Sequence, residues 1–300
     1  MTDETMAAFL FDTFDGLRDL VERCDAAMGT LEAPAIAAVP PGRLLTQPAD
    51  DASGRLCDFG MAQINDERAV LRVFVHPPEA RREGEIINAL MRALQTKRLF
   101  ERGWLRIERV LRPETVALPA ETVAAYRHLG FKYFYTEHEM HRSLREPPPE
   151  APASAGIEIV PWTRERDADI RDAYNDAFRD RGFGGFDEDD WASATFSAQD
   201  GFRPDLSFLA LDGDALAGFC LCEDAGDPKT GWIDTVGVSP SHRRRGVASA
   251  LTVRAMTMMR NVGLATAALR VNEDNERARL VYERLEFSTA KKHVVYRKQM

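Results

Sequence analysis

Arg243, Arg244, Arg245 and Gly246 place a dense positive charge between a strand-like segment and the start of a helix. Upstream, Ile233, Thr235, Val236 and Val238 alternate with β-branched character, and Ser239-Pro240-Ser241 interrupts the run as a turn. Downstream, Val247-Ala248-Ser249-Ala250-Leu251 opens a helix. The first turn of a helix leaves backbone N–H groups unpaired at the positive end of the helix dipole, so a turn of this kind holds anions. Gly246 lets the backbone approach its ligand, small Ala248 keeps the turn open, and three guanidinium groups add fixed charge. The pattern is that of a phosphate cradle.

Arg243-x-x-Gly246-x-Ala248 after Val236-x-Val238 resembles the acetyl-CoA pyrophosphate loop of the GNAT acetyltransferase superfamily, whose pattern is Gln/Arg-x-x-Gly-x-Gly/Ala. A second block, Asn275-x-x-Ala278-x-x-x-Tyr282-x-x-x-Glu286-Phe287, is similar to that family's Asn-x-x-Ala-x-x-x-Tyr-x-x-x-Gly-Phe. Both stand in family order. The resemblance implies acetyl-CoA as acyl donor, with the backbone of Val236, Gly237 and Val238 pairing with its pantetheine arm. It further implies that the loop Arg243, Arg244, Arg245, Gly246, Val247, Ala248 and Ser249 holds the pyrophosphate, and that Asn275 touches the cofactor. Tyr282 matches the tyrosine that in many relatives protonates the departing thiolate.

Direct transfer needs a neutral amine, and an ordinary ammonium is almost fully protonated at neutral pH, so a base or a water relay is expected. The family often places a carboxylate on the strand before the cradle. Asp234 is the candidate, because simple alternation would put Trp232, Asp234 and Val236 on one face; Glu223 and Asp224 compete with it. Glu286 departs from the family glycine, which should alter the turn after Tyr282. The loop Arg181-Gly182-Phe183-Gly184-Gly185-Phe186 reads as either a mobile lid or a plain connection.

At 300 residues the chain has room for two cores, and 44% hydrophobic with 29% charged residues is ordinary globular composition. A net charge of −9 disfavours nucleic acid or an anionic membrane as partner and suits a cationic small-molecule amine. Cys24, Cys57, Cys220 and Cys222 show no metal spacing, so no metal is expected. Cys220 and Cys222, two apart on a strand, read as small apolar packing groups. With few cysteines, no leader pattern and no membrane-length apolar run, the expected state is a cytoplasmic monomer or homodimer.

The elements that must carry these residues repeat. Glu4 to Met28 has helical spacing; strands follow at Arg43–Thr46, Arg55–Gln63 and Ala69–Val75, then a long helix Ala80–Phe100, a strand Leu105–Leu111, a helix Ala120–His128 and paired strands to Leu144. After Pro147-Pro148-Pro149, strands are expected at Ile157–Pro161, Ser207–Leu211, Ala215–Cys222, Gly231–Val238 and Thr266–Val271. Helices are expected at Arg164–Arg179, Asp187–Ser197, Arg244–Asn261 and Asn275–Arg284, with a final strand pair to Lys298. Val73-Phe74-Val75-His76-Pro77 echoes Val236-Gly237-Val238-Ser239-Pro240, Arg81-Arg82-Glu83-Gly84 echoes Arg243 to Gly246, and Tyr126-Arg127-His128-Leu129-Gly130-Phe131 echoes Tyr282 to Phe287. The chain reads as a tandem duplication.

The expected fold is α/β with mixed sheets: two GNAT-like domains, 1–146 and 157–300, each a mostly antiparallel sheet flanked by helices, joined by a Pro-rich linker at 147–156. In the first copy Glu83 replaces the third arginine, Glu85 and Ile86 stand at the positions of Val247 and Ala248, and Pro119 replaces Asn275. Carboxylates beside a pyrophosphate repel it, so 1–146 is read as a degenerate copy and 157–300 as the catalytic one. The arrangement is similar to the two-domain members of the superfamily related to mycothiol synthase. The implied activity is acetyl-CoA-dependent N-acetylation of a small amine; an acyl-CoA-binding regulatory protein without turnover, or use of a longer acyl chain, are the rivals.

Overall fold

In the third strand the apolar residues Ala69, Leu71 and Val73 recur at every second position and are buried. β1 (Arg43–Asp50), β2 (Leu56–Ile64) and β3 (Arg68–Val75) form an antiparallel meander. α1 (Ala80–Thr96) then crosses over to β4 (Trp104–Leu111), which pairs parallel with β3. Ile87, Leu90 and Leu94 of α1 pack on Ala69, Leu71, Leu105 and Ile107, the inward positions of those strands. α2 (Ala120–His128) and β5 (Lys132–Ser143) follow.

The same plan recurs downstream. β6 (Ile157–Pro161) leads to α3 (Asp167–Phe178), and β7 (Phe208–Asp212), β8 (Ala215–Asp224) and β9 (Thr230–Val238) form a second antiparallel meander. α4 (Val247–Asn261) crosses over to β10 (Thr266–Asn272), parallel with β9, and α5 (Glu276–Arg284) and β11 (Ser288–Gln299) close the chain. Leu251, Ala255, Met256 and Met259 of α4 bury one face of this sheet, where Cys220 and Cys222 pack as the small apolar groups expected. The opposite face carries Phe219, Leu221 and Leu209 under Ile170, Ala173 and the aromatic side chain of Tyr174 from α3. Mixed sheets flanked by helices are thus the fold.

The structure, a computed structural model, describes residues 20, 23–24, 43–50, 56–64, 68–75, 79–96, 102–151, 155–181, 185–187, 191 and 201–300. The helix expected at Glu4–Met28 lies outside these residues except for Leu20, Arg23 and Cys24, which are helical; the helix expected at Asp187–Ser197 lies outside them except for Asp187 and Trp191. His76-Pro77 and Gly182 to Gly184 also lie outside. No helix among the described residues is long and apolar enough to cross a membrane.

Two compact units result, Met1–His138 with Ala290–Met300, and Glu139–Thr289. Their limits differ from the division expected at the prolines. β11 hydrogen-bonds antiparallel to β4 from Lys292↔Leu111 to Gln299↔Trp104, which gives residues 290–300 to the first unit. From Glu139 onward β5 counts with the second unit, where Leu144 donates its N–H to the Ala265 carbonyl at 2.8 Å. An alternating pattern shows that a strand exists but not which neighbour it takes.

Candidate active site

α4 begins at Val247, three residues later than the basic run suggests. Arg243 to Gly246 therefore form a non-helical turn, with Arg244 at φ 63° and Gly246 at φ 76°, both left-handed. Glycine takes that conformation without strain, and an arginine held there is uncommon. Among the described residues, no protein acceptor takes the N–H groups of Arg244 to Ser249; the first bond of the turn is Ala250 N–H to the Gly246 carbonyl at 3.0 Å. Six successive donors without a protein acceptor among the described residues at a helix start suit an anion bearing several oxygens.

The three guanidinium groups are not equivalent. Arg243 donates to Asp180 at 3.2 Å and to the Ala177 carbonyl at 3.0 Å, while Arg245 donates to Asp212 at 3.0 Å. His242 also meets Asp212, at 3.2 Å, and Arg245 followed by His242 holds that carboxyl below the usual carboxylate range. Only Arg244, exposed and without a carboxylate partner among the described residues, keeps its whole charge for a ligand.

Behind the turn, the sheet parts. β9 and β10 pair from Thr230↔Thr266 to Ile233↔Leu269 and no farther, although β9 runs on to Val238 and β10 to Asn272. The backbone of residues 234–238 is left open on that side and paired with β8 on the other. A slot with one strand edge unpaired is ready to take an extended chain as an added strand. Gly237 is required at this point by packing, since a Cβ there would lie 2.3 Å from the ring of Phe219 on β8.

A β-bulge marks the apex of the slot. Pairing runs Leu221↔Thr235 and then Cys222↔Ile233, which leaves Asp234 as the extra residue. The bulge resets the alternation, so Ile233 and then Val236 and Val238 pack toward α4. Trp232 and Val236 consequently do not share a face, contrary to the simple alternation.

Asp234 reaches solvent, yet protein on most sides disfavours its charge and raises its pKa, opposed by the Thr235 hydroxyl, which donates at 2.6 Å, and by Arg270. Glu223, opposite Trp232 on β8, is pushed up to about 7 by burial and then by the charge of Asp234. Arg270 lies over the Trp232 ring at 5.5 Å and donates to Glu139 at 3.3 Å. Tyr174 of α3 has its phenol pKa raised, first by burial and then by Asp234.

On the α4 side stands Tyr282, buried among Cys220, Leu285 and Phe287. Burial, then neighbouring Cys220, raises its pKa, so the phenol keeps its proton. Its hydroxyl hydrogen-bonds no described protein group. Asn275 caps α5, accepting from the Ala278 N–H at 3.4 Å; this is a structural role, which leaves its amide NH2 for a ligand. Glu286 does not alter the turn after Tyr282: it adopts φ 65° where the first unit has Gly130 at φ 86°, and Arg142 holds it at 2.8 Å. Both turns carry the same bond back to the tyrosine carbonyl, Phe287 N–H to Tyr282 and Phe131 N–H to Tyr126, each 3.0 Å. In the glycine loop, Asn175 clasps Phe186 through two bonds of 2.8 Å, so at least this end is fastened.

The first unit parts its strands at the corresponding place, after Leu71↔Ile107. It lacks both the bulge, since the β2–β3 register is unbroken, and the open turn, since α1 already spans Arg81 to Gly84. Glu83 is buried and accepts from Arg109 at 2.8 Å and from the Tyr126 hydroxyl. Tyr126, the counterpart of Tyr282, is also contacted by Arg109 at 3.4 Å. Glu83 is thus withdrawn into the core, and not at the rim where it was expected to face a phosphate. This triad escaped the sequence reading, although an arginine at an inward position of the run Leu105, Ile107, Arg109, Leu111 was the available signal.

Residues 168–287 match the acetyltransferase (GNAT) family model. The mycothiol acetyltransferase of Streptomyces scabiei is 37% identical over 33% of this chain and 32% of its own length, so the chain matches about a third of that relative. N-alpha-acetyltransferase 30 of Schizosaccharomyces pombe is 34% identical over 30% of this chain and 61% of its own length. The mycothiol acetyltransferase of Salinispora arenicola matches more broadly, 29% identical over 82% of this chain and 79% of that protein. Among solved structures, a GCN5-related N-acetyltransferase from Sphaerobacter thermophilus covers 95% of this chain and 91% of its own, with TM-score 0.71 and 19% identity. A tandem GNAT protein from the clavulanic acid biosynthesis pathway covers 100% and 97%, with TM-score 0.58 and 15% identity.

Proposed function

We propose that the second unit, whose residues 168–287 match the acetyltransferase (GNAT) family model, transfers an acetyl group from acetyl-CoA to the amine of a small cationic molecule. The observation that supports this most is the slot between β9 and β10, together with six N–H groups at the start of α4 and a Tyr282 phenol that have no hydrogen-bond partner among the described residues. A diphosphate suits the turn Arg243 to Ser249, with Arg244 supplying the uncompensated charge, and an extended arm suits the free edge of Val236, Gly237 and Val238. Asn275 lends its free amide.

Acetyl-CoA would supply the acyl group as a thioester already activated for transfer. A carboxylate at the apex, where Asp234 is the candidate expected from the sequence, or a water relay takes the amine's proton, and Tyr282 gives its own proton to the departing thiolate sulfur. A phenol held protonated by burial is a proton donor of the required kind. The first unit is a degenerate copy that serves as scaffold. A second reading, an acceptor belonging to mycothiol chemistry, is favoured by the likeness to mycothiol acetyltransferases over most of the chain. Buried thiols at Cys220 and Cys222, neither in a disulfide, suit a reducing cytoplasm, where the protein would act as monomer or homodimer without metal, membrane or nucleic acid.

The test is a panel of primary amines with a free-thiol readout, alongside calorimetric titration of the full chain with CoA. Thiol release with at least one amine, and one CoA bound per chain, are expected. Arg244→Glu should weaken CoA binding by on the order of tenfold, the effect of replacing a charge contact in a partly exposed site. Unchanged affinity in that variant, or CoA binding with no amine accepted, would overturn the assignment.

A further inference from the structure

Glu223 and Asp234 are carboxylates with no salt-bridge partner among the described residues, although Arg270 acts on Asp234. The carboxylates nearby are already matched. Arg203 binds Asp205 at 2.7 Å and Asp224 at 3.1 Å, and Glu139 receives Arg270 at 3.3 Å and His141 at 2.9 Å. Strand geometry brings the two unmatched groups together. Glu223 is directly opposite Trp232, so the two share a face, and Asp234 follows two residues later, on the same face at the bulge. Apolar walls stand around them: Trp232, Phe202, which bridges to Glu223, and Tyr174. Asp234 is also the first β9 residue beyond the last pair with β10.

We propose that Glu223 and Asp234 together form the binding site for the acceptor's ammonium group, and that Glu223 is the residue that takes its proton. This rests on the acetyl-transfer reading and names its acceptor as a primary alkylammonium. Asp234, beside Arg270, holds the cation. The ammonium passes one proton to the Glu223 carboxylate, leaving a neutral acid and an amine with a free electron pair. That pair forms the C–N bond as the C–S bond breaks, and the sulfur receives the Tyr282 proton. The second proton, shed by nitrogen as the amide forms, restores Tyr282 through solvent, and Glu223 returns its own to solvent.

The charged group acting on Glu223 is Asp234 from β9, which in turn interacts with Arg270 from β10 and Tyr174 from α3; Glu139 and His141 of β5 lie beyond Arg270, and Arg203 with Asp205 and Asp224 stands next to Phe202 and Glu223 in sequence. Of these, Asp234 is the one that raises Glu223 after burial itself. Glu223 is a base only when ionised, so activity should fall as the pH drops through about 7.

Two measurements on the full chain decide. Carbon-13 NMR of the glutamate carboxyls, assigned with Glu223→Gln, should show Glu223 titrating near 7, and at lower pH in Asp234→Asn. The pH profile of kcat/KM with the best amine of the panel should lose its acidic limb in Glu223→Gln, with a drop on the order of 10²-fold, and shift that limb down in Asp234→Asn. An ordinary glutamate titration overturns the proposal whatever the acceptor. A limb that survives Glu223→Gln, with CoA affinity intact, overturns it while leaving acetyl transfer standing. Loss of CoA binding in the unaltered protein would instead remove acetyl transfer itself.

Discussion

Arg81-Arg82-Glu83-Gly84 and Arg243-Arg244-Arg245-Gly246 differ at one letter and adopt opposite structures. In the first unit the run lies inside α1, and the Glu83 N–H is already bonded to the Glu79 carbonyl at 3.0 Å. In the second the run stays outside the helix, and the N–H groups of Arg244 to Gly246 find no acceptor among the described residues. The tyrosines follow suit: Tyr126 is bonded to Glu83 and Arg109, and Tyr282 to no described group. An internal carboxylate occupies one phenol, whereas the other is left for a ligand. A polar group can therefore be closed to outside partners by a partner supplied from within as readily as by its deletion.

The comparison can be broken most forcefully at the triad. Glu83→Ala strips the buried Arg109 of its carboxylate and should cost about 3–5 kcal/mol in chemical denaturation, while the CoA affinity of the folded protein stays the same. A change in CoA stoichiometry would show that the first unit had a latent site. The next effect is on turnover. Tyr282→Phe should lower kcat on the order of 10²-fold with CoA affinity preserved, whereas Tyr126→Phe should leave kcat alone and reduce stability by about 1–2 kcal/mol. Equal losses of kcat in both would erase the distinction, and unchanged kcat in Tyr282→Phe would favour a protein that binds without turnover. The smallest effect belongs to the turn after the tyrosine. Glu286→Gly restores the residue type of Gly130, relieving left-handed strain of about 1 kcal/mol while losing the Arg142 pair; stability should move by less than about 1 kcal/mol, with kcat unchanged.

Much of this was legible before any coordinates. The β-branched run to Val238, the turn ending in Gly246 and the apolar helix after it are local patterns, and local patterns survive folding. The paired cysteines on one face were legible for the same reason. What escaped depends on partners distant in sequence. Asp180 and Asp212 quench Arg243 and Arg245 from 63 and 33 residues away, and no spacing rule reveals them. The bulge at Asp234 belongs to the register between two strands, so alternation along β9 alone put Val236 on the wrong face and left Glu223 as one competitor among several. The strain at Glu286 was misjudged because the ion pair with Arg142 spans 144 residues.

The pairing of β11 with β4 has a consequence for synthesis and for engineering. Emerging from the ribosome, the opening half of the chain cannot finish its sheet until the half that follows has been translated. A fragment cut at the prolines would display β4 with an exposed edge, prone to self-association. Dissecting the two copies genetically therefore calls for carrying residues 290–300 along with the first, grafted by a short loop, rather than for a simple truncation.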